Sequence, residues 1–470
     1  MCGIAGIVAN TGVSGSLYWA LYALQHRGQE SGGISTYDNG TVYKYKGYGL
    51  VSEIFSGDIL QSLSGTTGLG HVRYPTTGGS KQENIQPFNF LFRGHSLSIV
   101  HNGNLVNTDE LRYEYEGRGH IFSTTSDTEV IAAILANEII HGHTVVEAIS
   151  YCMRSIRGSY AVIFMLDGVL YAFRDPLGIK PLCLGELETG GYIVASESVA
   201  LDAIGAKLLR DVAPGESLRL KADNVYPRQI MITRSPAHCV FEYIYFARAD
   251  SVIDGISVYN VRHKTGCILA GEAPVAGADL VSPVPDSGTA AATGYAAASG
   301  IPFREALIKN RYTGWTFIMP TQAKRDMAVR MKLNPVRGYV TGKSVVLVDD
   351  SIVRGTTSRC IIALVREFGA KEVHLRVASP PIIAPCYLGT DFPTREELIY
   401  HNTSVEGVRK RIGATSLAHI SIDWLVRAIG LPCDNLCTGC LTGKYPLAID
   451  GEVEEPRGIE MIDPYKNPEL

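Results

Sequence analysis

At 470 residues, 46% of them hydrophobic and 19% charged, the chain holds enough apolar material for packed cores and is no disordered or fibrous protein. Its 43 Lys and Arg against 47 Asp and Glu leave a formal charge of −4, which offers no electrostatic footprint for nucleic acid. No apolar run approaches the ~18 residues of a membrane span, the first basic residue is Arg27, and ten cysteines are too sparse for a disulfide scaffold, so a two-domain enzyme of the reducing cytoplasm is expected.

Leu17, Ala20, Leu21 and Leu24 keep helical spacing until Arg27-Gly28 breaks it. Asp38-Asn39-Gly40 and Asp167-Gly168 each separate two strand-like runs, predicting hairpin turns in which glycine accommodates a positive φ. Ser126 and Glu129 fit a capping box ahead of the helical run VIAAILANEII. Strands and hairpins with a few helices thus predict a first domain over residues 2–235. From about residue 255 strands and helices alternate: DLVSPVPDSG, TAAATGYAAASG, SVVLVDDS, TTSRCIIALVREFG with Gly369 as its cap, and EVHLRVASP. That alternation predicts a parallel sheet covered by helices within residues 236–445. The acidic stretch 446–470 reads as a loosely ordered tail.

The sharpest motif is VVLVDDSIVRGTTS, residues 345–358. Four apolar residues make a buried strand, and Asp349 and Asp350 stand at its carboxyl end, where open α/β sheets bind ligands. From Ser351 the chain turns past Arg354 and Gly355 into a helix whose free N–H groups and dipole favour a phosphate. Gly355 permits close backbone approach, and Thr356 and Thr357 supply hydroxyls. The two aspartates suit ribose hydroxyls or Mg²⁺ rather than the phosphate. A second strand-end loop, Val284-Pro285-Asp286-Ser287-Gly288-Thr289, repeats this geometry and suits a pyrophosphate leaving group. Between the loops, IKNRYTGWTFIMPTQAKRDMAVRMKLNPVRG has the make-up of a basic lid, or equally of a solvated charged helix.

Cys2 follows Met1 directly. With Met1 removed, the thiol would stand beside a free α-amine of pKa ~7.7–8.0, able to take the thiol's proton for amide cleavage. CGIAGI, Arg27-Gly28-Gln29-Glu30-Ser31, His71-Val72-Arg73-Tyr74-Pro75-Thr76, His101-Asn102-Gly103-Asn104 and Ser126-Asp127 occur in that order. Together they resemble the N-terminal-nucleophile (Ntn) glutamine amidotransferases, and VVLVDDSIVRGTTS resembles the phosphoribosyl pyrophosphate fingerprint of type I phosphoribosyltransferases. Both in one chain resemble the glutamine phosphoribosylpyrophosphate amidotransferases over essentially the full length.

The resemblance implies an Ntn αββα glutaminase domain followed by a type I phosphoribosyltransferase domain with a Rossmann-like parallel sheet. It implies Cys2 as nucleophile, Asn102 and Gly103 as oxyanion hole, and a glutamine site formed by Gly28, Arg73 on the α-carboxylate and Asp127 on the α-ammonium. It also implies that Asp286, Ser287, Gly288, Lys309, Tyr312, Asp349, Asp350, Ser351, Arg354, Gly355, Thr356 and Thr357 bind phosphoribosyl pyrophosphate. Ser287, Asp349 and Asp350 would face Mg²⁺. Ammonia from glutamine would displace pyrophosphate to give 5-phosphoribosylamine, the first committed step of purine synthesis. Feedback by purine nucleotides and a homotetramer are implied, with no nucleic-acid or membrane partner. Two positions depart from the family: Trp315 stands where Arg is common, and Gly288 where many members carry a hydroxyl.

Cys437-x-x-Cys440, with Cys386 and Cys239, matches the branch that binds a [4Fe–4S] cluster, for which four thiolates are the right number. By itself a CxxC suits zinc equally, and Cys433 would compete as a ligand. Cys152, Cys183, Cys267 and Cys360 are expected as buried thiols. Sugar-phosphate or asparagine-forming relatives would need an isomerase domain or an ATP-pyrophosphate loop, and a transcriptional sensor a basic helix-turn-helix. VVLVDDSIVRGTT matches neither of the former, and the −4 charge argues against the last.

Overall fold

Strand β1 (Gly3–Ala9) is apolar on both faces: Ile4 and Val8 point one way, Ala5, Ile7 and Ala9 the other, all buried. Such a strand belongs in a middle layer. In the computed structural model, which describes residues 1–74, 81–312, 331–392, 394–449, 452–454 and 457–462, it takes that place. Among the described residues, β1 lies in a seven-stranded antiparallel sheet that stacks on a six-stranded one. Ile4 and Val8 meet Leu69 of β2 (Thr67–Arg73) and Val100 of β3 (His95–Leu105) between the sheets. Ala5 and Ile7 pack under Leu17 and Leu21 of α1 (Ser14–Ala23). On the far side, Ile131 and Ile134 of α2 (Asp127–Ile140) cover Val162 and Phe164 of β4 (Gly158–Leu166). The layers run helix, sheet, sheet, helix, as expected for αββα.

Both predicted hairpins form, with Asn39 and Gly40 (φ 47° and 84°) and Asp167 and Gly168 (φ 49° and 81°) in the left-handed region that type I′ turns require. The capping box at α2 does not form. Ser126 Oγ accepts from Thr128 N at 3.3 Å, but Glu129 turns back to the N–H and hydroxyl of Ser123 (both 2.9 Å) and of Thr124 (both 2.7 Å). Four donors in the preceding loop outcompete the single N–H that a capping box would offer.

In the second half, a four-stranded parallel sheet has the order Leu280–Pro283, β5 (Ser344–Asp349), Glu372–Val377, Ser416–His419. Val346 and Val348 of β5 face helices Val258–Glu272 and Thr289–Ser299, while Val345 and Leu347 face α3 (Thr356–Glu367) and Val405–Ile412. Gly369, at φ 93°, follows α3 as predicted. The acidic tail contributes a strand: Ile459–Met461 pairs antiparallel with Met231–Thr233, where an otherwise unpaired edge accepts it. Most of the basic segment between the two loops, Trp315 included, lies outside the described residues. Among the described residues no helix is long and apolar enough to cross a membrane.

Candidate active site

The pairing of Gly3 with Val72 brings the start of β1 beside the end of β2. Cys2 N donates to Asn102 Oδ1 at 3.0 Å, and Cys2 Sγ lies 3.8 Å from Tyr74 O. Asn102 is fully buried on β3, and its Nδ2 has no partner, an orphaned donor of the kind that a native site keeps for a ligand. Gly103 follows it, and a Cβ there would sit 2.0 Å from Ser159 O. A Cβ on Gly28 would meet the backbone of Val72 and Arg73 at 2.5–2.6 Å, so the turn after Arg27 closes on β2 only with glycine. Arg73, nearly buried, pairs with Glu30 at 2.5 Å.

Asp127 opens α2, buried, accepting from Leu105 N at 3.1 Å with His101 Nδ1 at 3.6 Å. Burial alone would raise its carboxyl, but His101 and the N–H groups of Leu105 and Thr128 hold it below the usual carboxylate range. The α-amine of Met1 is pulled down to about 6, chiefly by burial. The nearby Cys2 thiol and Glu242 oppose that shift, and Lys180 and Arg27 add to it.

One buried charge cluster beside Cys2 escaped the sequence reading. The Arg27 side chain is fully buried, donating from Nε to Cys2 O at 2.9 Å and pairing with Glu197 and Glu242. Those carboxylates lie 170 and 215 residues away, so no local pattern reveals the cluster.

At the second site, Asp349 ends β5 and Asp350 follows, each 7% exposed. Asp350 accepts from Ser287 Oγ at 2.5 Å and Ser351 Oγ at 2.6 Å, and its N–H donates to Asp349 Oδ1 at 3.0 Å. Burial, then the neighbouring Asp350 charge, push Asp349 well above the ordinary range. Two buried carboxyls that cannot both ionise alone, with a serine hydroxyl between the loops, form an oxygen donor set that suits Mg²⁺, which also keeps water and substrate phosphate ligands. Gly355 has φ 71°, and a Cβ there would meet Ile399 Cδ1 at 2.0 Å. Thr356 and Thr357 begin α3 exposed. A Cβ on Gly288 would lie 2.3 Å from Val348 O, so this chain brings the second loop against β5. Lys309 reaches that loop through Asp286 at 2.7 Å. Arg354 instead pairs with Glu397 at 2.6 Å, and Tyr312 stands fully exposed.

The cysteines converge from three stretches of chain. Cys239 and Cys437 are register partners in a short parallel pair, and Cys440 O accepts from Ile383 N (3.0 Å) and Ala384 N (3.2 Å), drawing in the segment that leads to Cys386. Leu177, Ile179, Ala237 and Leu388 pack with Cys437, and Cys239 and Cys386 lie against this apolar cluster. Burial pushes Cys239 up to about 11 and raises Cys437 and Cys440 further. Among the described residues no three His, Cys, Asp or Glu side chains converge on a point that could hold one metal ion. Cys386, Cys239 and Cys437 all lie near enough to Cys440 to raise its thiol further by their charge; four thiols are the donor number that a [4Fe–4S] cluster would need. Cys433 is exposed, and all ten cysteines are free. Cys152 and Cys183 are buried as expected; Cys267 and Cys360 are only half-buried, each on a helix flank open to solvent.

A family model for the glutamine amidotransferase domain matches residues 73–203. The amidophosphoribosyltransferase of Methanothermobacter thermautotrophicus is 50% identical over 457 residues, covering 97% of this chain and 96% of that protein. The Bacillus subtilis amidophosphoribosyltransferase is 45% identical over 467 residues, covering 98% and 97%. The solved glutamine phosphoribosylpyrophosphate amidotransferase of B. subtilis, in complex with ADP and GMP, superposes with a TM-score of 0.89 at 44% identity, covering 96% of this chain and 99% of that one. Likeness of this extent spans nearly the whole chain rather than one half of it, and the chain belongs to the amidophosphoribosyltransferase family.

Proposed function

We propose that the enzyme hydrolyses glutamine at the Cys2 site and delivers the ammonia to C1 of 5-phosphoribosyl 1-pyrophosphate, giving 5-phosphoribosylamine, glutamate and pyrophosphate. This is the first committed step of purine synthesis. The carrying observation is Asn102, whose Oδ1 holds Cys2 N while its buried Nδ2 is left without a partner. Arg73 and Asp127 hold the two ends of the amino acid, beside Gly28. Cys2 Sγ attacks the amide carbon, and the α-amine freed by loss of Met1 takes the thiol proton and passes it to the leaving ammonia. Asn102 Nδ2 and Gly103 N–H donate to the oxyanion, and water then releases glutamate.

At the second site, Asp349 and Asp350 take the ribose hydroxyls, and Ser351 to Thr357, Arg354 included, cradle the 5-phosphate at the N-terminus of α3. Asp286, Ser287, Gly288 and Lys309 face the pyrophosphate, and Tyr312 borders them. Mg²⁺ held by Asp349, Asp350 and Ser287 would neutralise charge on the leaving pyrophosphate. In this reading residues 2–235 form the glutaminase domain, 236–445 the transferase domain and 446–470 the tail. The ADP and GMP in the B. subtilis neighbour support purine nucleotides as feedback inhibitors, and the family resemblance supports a cytoplasmic homotetramer. The test is pyrophosphate release with glutamine or with ammonia as nitrogen source. Equimolar glutamate and pyrophosphate from glutamine are expected, and no pyrophosphate from either source refutes the reading.

Cys239, Cys386, Cys437 and Cys440 would hold a [4Fe–4S] cluster. The reaction moves no electrons, so the cluster would staple the carboxyl end to both halves, a constraint comparable to a disulfide's ~2–4 kcal/mol. Anaerobically purified protein is expected to be brown, with about four iron and four sulfide per chain. Cys433→Ser should keep the colour, and Cys437→Ser should lose it together with resistance to proteolysis. Stoichiometric zinc without sulfide would replace the cluster by a zinc staple.

A further inference from the structure

Lys180 is fully buried, and among the described residues its Nζ has a single polar partner, Met1 Sδ, at 2.8 Å. A thioether is a weak acceptor, and an ammonium group taken out of water is costly unless an opposite charge repays it. The acid nearest in sequence does not do so. Asp175 accepts instead from Leu177 N (3.1 Å), Ile179 N (3.0 Å) and Lys180 N (3.2 Å). Arg174 Nε donates to Lys180 O at 2.6 Å, so the backbone of Lys180 is pinned on both sides and its side chain is aimed inward. Gly389 leaves room for it. A Cβ there would lie 3.2 Å from Lys180 Nζ, and 3.2 and 3.3 Å from Gly103 C and O. The ammonium group therefore stands in the corner between the amino terminus and the strand that carries Asn102 and Gly103.

Met1, the one partner of that ammonium group, is the residue whose loss frees the Cys2 amine. We infer that Lys180 is a positioning residue for glutamine cleavage, its buried charge keeping the Cys2 α-amine unprotonated so that it can accept the thiol proton. The inference rests on the proposed function for the role of that amine. With Met1 present, burial brings the terminal amine to about 6, helped by Lys180 and Arg27 and opposed by Cys2 and Glu242. Arg27 is paired with both Glu197 and Glu242, whereas Lys180 has no such carboxylate, so its charge acts on the amine undiminished. Burial pulls His71, which also faces the amino terminus, down to about 3, and it stays neutral at working pH. Lys180 also lowers the thiols of Cys239 and Cys437, so a counter-charge for those sulfurs is the rival role.

The test is the pH profile of glutamine hydrolysis by full-length enzyme shown by mass to have lost Met1. An amine acts as a base only when unprotonated, so activity falls below its pKa, and removing a nearby positive charge raises that pKa. Lys180→Met, neutral and of similar length, should move the acidic limb of kcat/KM up by ~1 pH unit, a loss of up to ~10-fold below the limb that higher pH restores. Lys180→Arg keeps the charge and should keep the limb. Should Lys180→Met fail to fold, Lys180→Gln carries the same criterion. A limb that stays in place in the neutral variant overturns the inference. Rate lost evenly at every pH, with a lower melting temperature, then makes Lys180 structural, and loss of iron and sulfide makes it the counter-charge of the cysteines. A limb displaced equally in Lys180→Arg overturns the inference too, because charge would not be the cause. Absence of glutamine hydrolysis by wild type overturns the function itself, a distinct result.

Discussion

Replacing Cys2 by Ala is expected to abolish glutamine-dependent synthesis, by ~10⁴-fold or more, while ammonia-dependent synthesis persists. The nucleophile stands where β1 begins, held to Asn102 by its own nitrogen, and none of the Asp349-Asp350 contacts passes through its thiol. The same asymmetry should follow from retention of Met1. With Met1 in place, the nitrogen beside the thiol is an amide, which donates to Asn102 and cannot accept a proton. The Met1 amine, moved one residue away and lowered by burial, is a poor substitute. Mass spectrometry on preparations sorted by Met1 content checks this directly. Full glutamine-dependent turnover by a homogeneous Met1-bearing chain would remove the α-amine from the mechanism.

Asp350→Ala should depress phosphoribosyl transfer by ~10²–10³-fold with either nitrogen source and leave basal glutamine hydrolysis largely intact. Asp350 gathers the hydroxyls of Ser287 and Ser351, one from each loop, so its loss separates the two halves of the phosphoribosyl site. Removing it also relieves Asp349 of a like charge. The Asp349 carboxyl, raised by burial and that neighbour, should then fall towards its ordinary value and ionise more readily. The deficit in Asp350→Ala is therefore expected to be smaller than in the double variant with Asp349→Ala. Pyrophosphate release under saturating ammonia measures both, and unchanged transfer in each single variant would place the phosphoribosyl site elsewhere.

Much of the molecule is legible from short-range pattern. The apolar run before Asp349, the glycine turns at Gly40 and Gly168 and the strand–helix alternation after residue 255 are consequences of backbone periodicity and positive φ, which act over a few residues. Cys2 beside Met1 and the paired aspartates before a glycine turn likewise carry their chemistry in local order, and so determine the family and both candidate sites. Tertiary structure alone decided three things. Glu129 abandons its capping box because four donors of a folded loop surround it. Cys239 meets Cys437 across a two-residue parallel pair, separating these two from exposed Cys433, a distinction that spacing along the chain does not contain. Arg27 finds its carboxylates 170 and 215 residues away. Charge pairing and thiol clustering depend on which surfaces packing brings together, and that distance is set by the core, not by neighbours in sequence.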